Sequence, residues 1–106
     1  MKLVKVVYEI TKNLPIKEKY GLSSQMRRAV IFIPCNIAEG AARCGKRESM
    51  QFYKIARGSL SELDTQLELC KMLKLLALSD IILLTKHLEI VDSLLSGLIR
   101  SRKNRF

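Results

Sequence analysis

Apolar residues recur at helical spacing along the start of the chain. Leu3, Val7, Ile10 and Leu14 follow one another at intervals of four, three and four residues, which is typical of a helix packed on one side. Pro15 cannot continue that helix because it has no backbone N–H group. We therefore predict a first helix over residues 3–13 and a loop over residues 15–21.

A second apolar stripe predicts a helix that begins near Leu22. It contains Leu22, Met26, Ala29, Ile33 and Ile37. Ser23 or Ser24 is expected to cap its first turn through a side-chain oxygen. Pro34 lies inside the stripe and removes one backbone hydrogen bond, so it should kink the helix by roughly 20° or more. Two shorter helices are the alternative, but the unbroken stripe favours a single kinked helix.

Two further stripes predict the remaining helices. A turn over residues 40–45 leads into a third helix that extends to about Leu76, with a core stripe of Phe52, Ala56, Ser59, Leu63, Leu67, Cys70 and Leu73. Ser79 is a suitable cap for a fourth helix, whose stripe contains Ile81, Leu84, Leu88, Val91, Leu95 and Leu98. Because short turns join long helices, we predict an all-α fold: one domain over residues 1–106, an antiparallel up-down-up-down four-helix bundle with helix two kinked at Pro34.

The fourth helix carries a second apolar strip on another side. Leu83, Ile90 and Leu94 lie about 180° to 220° around the helix from Ile81 at 100° per residue. One core requires only one apolar stripe on each helix. We therefore predict that Leu83, Ile90 and Leu94 form a subunit interface in a homo-oligomer, with His87 between the two stripes.

Charge is the compositional feature that bears most on function. The chain has 19 Lys and Arg against 10 Asp and Glu, a formal net charge of +9. Basic residues cluster at Arg43, Lys46, Arg47, Lys54 and Arg57, with Glu48 among them, and again in a basic tail over residues 100–106 that contains Arg105. The cluster is either a solvated helix face or a site for nucleic-acid phosphates, which would bind RNA or DNA without reading its sequence.

Polar and reactive side chains give no pattern typical of catalysis. Asn36, Glu39 and Arg43 share one helical face; this set is either a polar network that fixes packing or a ligand or RNA contact. No nucleophile–base pair accompanies Glu39, and the three cysteines and one histidine have no zinc-ligand spacing. We expect no catalytic residue, no metal and no cofactor. No apolar run reaches the roughly 18 residues of a membrane span, so we expect no membrane partner and a cytoplasmic protein.

The run from Tyr20 to Leu67 resembles a known family. The matching positions are Tyr20-Gly21-Leu22, Gln25, Arg27-Arg28-Ala29, Ile33-Pro34, Asn36-Ile37-Ala38-Glu39-Gly40, Arg43, Phe52, Ile55-Ala56, Gly58-Ser59, Glu62-Leu63 and Gln66-Leu67. They are similar to those of bacterial four-helix-bundle proteins encoded by intervening sequences in 23S ribosomal RNA genes, whose remote relatives assist reverse transcriptases in diversity-generating retroelements. The resemblance implies a homo-oligomer, a ring of five, with no established catalytic activity.

Two functional hypotheses follow from these patterns. The first is a non-catalytic oligomer that binds nucleic acid, either ribosomal RNA or the RNA or DNA of a retroelement. The second is a protein-interaction scaffold or accessory subunit, whose partner is a reverse transcriptase or another protein and whose charge serves solubility. Salt-dependent binding to RNA or DNA separates the two hypotheses.

Overall fold

The computed structural model describes residues 1–104, and these residues form four α-helices and no strand. The helices are α1 (Lys2–Thr11), α2 (Leu22–Ala42), α3 (Lys46–Met72) and α4 (Leu78–Asn104). A 3₁₀ turn (Ile16–Glu18) lies between α1 and α2. The helices form a four-helix bundle with principal dimensions of 48 × 23 × 20 Å. No helix among these residues is long and apolar enough to cross a membrane.

All four helices contribute to one apolar core. Its fully buried side chains include Leu3 and Ile10 from α1, Ile33 from α2, Leu63 from α3 and Leu84 from α4. These residues belong to the stripes that the sequence indicates. The helical periodicity therefore identified the inner face of every helix.

The ends of the stripes were predicted less well than their centres. On α3, Tyr53 is buried and Phe52 is half-buried, while Leu73 is 60% exposed because the helix ends before it. Near the end of α4, Ile99 is buried and Leu98 is half-buried. The buried residue is thus offset by one position at both sites.

The helix boundaries correct three expectations. α2 begins at Leu22 with Gly21 as its N-cap, and no side chain forms a capping hydrogen bond there. α3 ends at Met72, about a turn before the expected Leu76, and Ser79 lies inside the first turn of α4 rather than before it. α3 stops early because Lys74 adopts a positive φ of 53°, and the Leu75 N–H donates to the Cys70 carbonyl at 2.9 Å, which is a left-handed helix-ending motif.

One glycine permits a close contact between α2 and α3. A Cβ atom on Gly40 would lie 2.5 Å from Tyr53 Cε1 and 3.1 Å from the Ser49 carbonyl oxygen. The Ser49 hydroxyl donates to the Gly40 carbonyl at 2.8 Å. Gly58, by contrast, has no atom within 4 Å of such a Cβ. The close approach is therefore at Gly40 and not at Gly58.

Candidate nucleic-acid interface

An open depression on the surface of α3 collects basic side chains. It is lined by Lys46, Arg47, Met50, Gln51, Lys54 and Lys103. Four of these six residues are cations and none is an acid. Lys46, Arg47 and Lys54 were expected at a nucleic-acid site, so the structure brings three of the five predicted residues into one depression.

The basic residues at the start of α3 destabilise the helix, because they lie at its positively charged N-terminal end. Lys46 and Arg47 occupy its first turn, and its N-cap, Gly45, supplies no side-chain hydrogen bond. The N-terminus of a helix carries a partial positive charge and stabilises anions. Glu48 in the same turn offsets part of this positive field. A phosphate at the depression would be attracted by the two side chains and by the helix end together.

The last turn of α4 completes this surface. Lys46 Nζ donates to the Lys103 carbonyl at 2.9 Å, and Arg102 Nη2 donates to the Arg43 carbonyl at 3.0 Å and to Ser49 Oγ at 2.9 Å. These bonds hold the end of α4 against the turn between α2 and α3. Of the predicted basic tail, the part from Arg100 to Lys103 is therefore helical, while Arg105 lies outside the described residues.

Arg57 lies apart from the basic depression. It lines a shallow cleft between α3 and α4 together with three acidic residues, Asp64, Glu89 and Asp92. The positive charge of Arg57 is therefore set among negative charges. A phosphate would be repelled by these carboxylates, whereas no acid lines the depression at Lys54.

Arg43 also points away from the basic depression. Its guanidinium forms an ion pair with Glu39 at 2.8 Å and lies over the Phe52 ring, with 4.9 Å between Cζ and the ring centroid. Asn36 instead donates to the Phe32 carbonyl at 2.8 Å. Of the predicted polar network, the Glu39–Arg43 pair is joined by a hydrogen bond, and Asn36 bonds to its own helix.

The apolar strip on α4 is exposed. Leu83, Ile90 and Leu94 are 42%, 54% and 48% exposed. A groove beside Ile90 and Leu94 is lined by His87 of α4 and by Met1 and Lys2 at the start of the chain. About half of the surface of each of these residues is thus exposed to solvent in the single chain.

The reactive side chains are dispersed. Cys35 and Cys44 are exposed and Cys70 is buried, and all three are free thiols. Burial first, and the negative charge of Glu18 second, raise the pKa of the Cys70 thiol above its ordinary value of 9.0. Within residues 1–104, no group of three His, Cys, Asp or Glu side chains could hold a metal ion.

Sequence reasoning missed two parts of this surface chemistry. Lys103 joins the depression from a position 57 residues after Lys46, and no local pattern indicates that contact. Arg27 on α2 donates from Nε to Thr11 Oγ1 at 2.8 Å and from Nη2 to the Tyr8 carbonyl at 3.2 Å, so it ties α2 to α1. The sequence shows that Arg27 and Arg28 are positively charged, but it does not show that Arg27 bonds to α1.

The chain matches a known protein family. Residues 1–97 match the model of the family named 23S rRNA-intervening sequence protein. No curated protein matches the chain. The family match covers all but the last nine residues, including α1, α2 and α3.

Proposed function

Because the chain belongs to the 23S rRNA-intervening sequence protein family, we propose that it is a non-catalytic, self-associating protein that binds the phosphate backbone of RNA or DNA. The observation that carries the proposal is the depression lined by Lys46, Arg47, Lys54 and Lys103 without an acidic residue. Arginine and lysine contacts to phosphates supply affinity that does not depend on base sequence. Ribosomal RNA, and the RNA or DNA of a retroelement, are the candidate partners.

Net charge supports the same conclusion over a longer range. The chain carries +9, and a positive surface raises both the rate and the affinity of polyanion binding at low salt. The uncapped start of α3 adds a partial positive charge beside Lys46 and Arg47. Both effects weaken as salt screens them.

Self-association would strengthen nucleic-acid binding, because an oligomer carries one basic depression on each subunit. The exposed strip of Leu83, Ile90 and Leu94 is the surface that we propose for contact between subunits. Closed symmetry, with a ring of five as the expected form, would repeat the basic depression around one axis. Linked weak sites bind one long polyanion far more tightly than a single site does.

The proposal includes three finer features of the protein. They are the antiparallel up-down-up-down connectivity of the bundle, a kink of α2 at Pro34, and a cytoplasmic location. Pro34 lies within α2, which continues through it, and a proline at such a position removes one backbone hydrogen bond.

Fluorescence anisotropy with labelled RNA and DNA, as duplexes and as single strands, tests the binding proposal. Binding at about 50 mM salt should fall steeply toward 200 mM, because each neutralised phosphate releases a counterion. The double variant Arg47→Gln/Lys54→Gln should weaken all nucleic acids together and lower the log–log salt slope by about two units. Arg57→Gln is the matched control: it removes the same charge from the same helix, but at a place lined by acids.

Absence of binding to every nucleic acid at about 50 mM salt would overturn this function. The alternative would then stand: a protein-interaction scaffold, or an accessory subunit of a reverse transcriptase or another protein. The exposed apolar strip on α4 favours that alternative, because such a strip also fits a different protein.

Light scattering after size exclusion tests self-association. The wild-type mass should be several times 12.1 kDa, with five times as the expected value. Replacing Leu83, Ile90 and Leu94 together with serine should release helical monomers. Leu78→Ser on the same helix, at a residue 71% exposed, should leave the mass unchanged. A wild-type monomer at high micromolar concentration would contradict the proposed interface.

A further inference from the structure

A second groove lies where the end of α1, the 3₁₀ turn and the start of α2 meet. Its polar lining is Thr11, Lys12, Lys19, Ser23, Ser24 and Arg27, and its apolar lining includes Leu14, Ile16 and Tyr20. None of the residues of the basic depression takes part in it. The groove is therefore a separate surface with its own chemistry.

Three cations line this groove, and two of them, Arg27 and Lys19, are not neutralised by an ion pair among the described residues. Arg27 is held through Thr11 Oγ1 and the Tyr8 carbonyl, and its guanidinium lies 4.7 Å from the centroid of the Tyr8 ring. Among the described residues, Arg27 and Lys19 form no ion pair, and the third cation, Lys12, contacts Glu9 at 3.5 Å on the exposed surface. No acid lines the groove, but the Glu18 carboxylate lies beside Gly21, where its Oε2 would be 3.7 Å from a Cβ atom. An anion is therefore favoured near Lys19 and Arg27 rather than at the start of α2.

The start of α2 opens onto the same groove. Its N-cap, Gly21, provides no side-chain hydrogen bond, so the first N–H groups of this 21-residue helix have no capping partner. Ser23 lines the groove and is only 7% exposed. The start of a helix carries a partial positive charge, and the Glu18 carboxylate beside Gly21 offsets part of it.

An aromatic ring stands at the edge of the groove. Tyr20 is 88% exposed, and Lys19 Nζ lies 5.5 Å from its ring centroid. Ile16, which lines the same groove, is 91% exposed. An exposed ring next to cations is the platform on which proteins stack the bases of single-stranded nucleic acid while basic groups contact the backbone. The basic depression on α3 has no aromatic residue in its lining.

We propose that this groove binds one nucleotide of single-stranded RNA or DNA, with the base stacked on Tyr20. The phosphate lies between Lys19 and Arg27. The inference rests on the proposed nucleic-acid function and deepens it, because it adds a contact to the base that a duplex cannot make. Bases within a duplex are already stacked on their neighbours, so the groove favours single strands over duplexes of the same charge.

Anisotropy with a labelled oligouridine strand and a labelled RNA duplex, each with wild type and variants, tests the groove. Tyr20→Ala should weaken binding of the single strand about tenfold, the lower end of what one stacked base supplies, and should leave duplex binding unchanged. Tyr20→Phe keeps the ring and should bind as wild type does. Lys19→Gln should weaken the single strand and reduce the salt slope by about 0.7 units. Tyr20 is nearly fully exposed, so its replacement should not disturb folding.

The outcomes separate this inference from the general function. If wild type binds neither strand nor duplex, both proposals fail. If wild type binds both, and Tyr20→Ala binds the strand as tightly as wild type, the groove proposal fails and the basic depression stands. Competition with uridine monophosphate and with inorganic phosphate distinguishes the source of the phosphate. Either small molecule displacing the strand at the strand's own affinity would overturn the assignment of a nucleic-acid strand as the ligand.

Discussion

Replacement of Gly40 by alanine should destabilise the protein, although the same substitution elsewhere in its helices should stabilise it. Alanine in a helix interior is favoured over glycine by about 1 kcal/mol. At Gly40 the new Cβ would lie 2.5 and 2.7 Å from two carbons of the Tyr53 ring and 3.1 Å from the Ser49 carbonyl oxygen. Tyr53 is only 4% exposed, so its ring has no open space into which it can move.

The expected magnitude combines two opposing effects. Overpacking of a well-packed interior costs about 1–3 kcal/mol, and movement of α3 would also strain the 2.8 Å bond from Ser49 to the Gly40 carbonyl. After the gain of about 1 kcal/mol in helix propensity, we expect a net loss of up to about 2 kcal/mol in the free energy of unfolding. For a chain of this length each 1 kcal/mol corresponds to a change of about 4–8 °C in Tm.

Gly58→Ala and Gly97→Ala are matched controls. A Cβ at either position has no atom within 4 Å, so each variant should gain up to about 1 kcal/mol. Urea unfolding followed by circular dichroism at one fixed protein concentration measures all three, since self-association makes stability depend on concentration. A second test combines Gly40→Ala with Tyr53→Ala: without the ring, the alanine at 40 should no longer destabilise. If Gly40→Ala raised stability as much as Gly58→Ala does, the close contact between α2 and α3 would be refuted.

Three other changes have defined outcomes. Leu63→Asp places an unpaired charge at a fully buried position, which costs several kcal/mol out of a total of roughly 5–15; unchanged cooperative unfolding would show that the wrong face is assigned to the core. In the native protein a thiol reagent should label the exposed Cys35 and Cys44 quickly and the buried Cys70 slowly. Folding raises the pKa of the Cys70 thiol, so the contribution of the neutral thiol to the free energy of unfolding should be complete below pH 9.0 and lost as pH rises through the raised pKa. In Cys70→Ala, the free energy of unfolding should therefore fall less at alkaline pH than in the wild type. Lys74→Gly should raise the free energy of unfolding by about 0.5–1 kcal/mol, because φ of 53° strains a side chain and suits glycine; lower stability in urea unfolding would contradict this.

Periodicity in the sequence predicted the helices well because burial on one side of a helix imposes a spacing that single residues display. Leu3, Ile33, Leu63 and Leu84 are fully buried, as their stripes indicate. The ends of the stripes failed for a physical reason. At Phe52 and Tyr53 two adjacent aromatics are both compatible with the pattern, and the choice depends on the space that Gly40 leaves on the neighbouring helix.

The candidate sites could be predicted only in part. The local cluster of Lys46, Arg47 and Lys54 is visible in the sequence because these residues are neighbours on one helix. The acidic surroundings of Arg57 are not visible, because Glu89 and Asp92 line the same cleft from α4. Position along one helix shows which charges are near one another, but it does not show which charges the next helix supplies.

The sequence by itself determined the helical class, the inner face of each helix, the excess of positive charge and the family, since all of these depend on the order and spacing of residues. Only the tertiary structure decided which surfaces those residues form. It brought Lys103 to Lys46 through a hydrogen bond between positions 57 apart, and it placed Arg27, Lys19 and Tyr20 around one groove at the start of α2. The physical reason is that spacing within a helix is set by local backbone geometry, whereas contacts between helices depend on how four surfaces pack together.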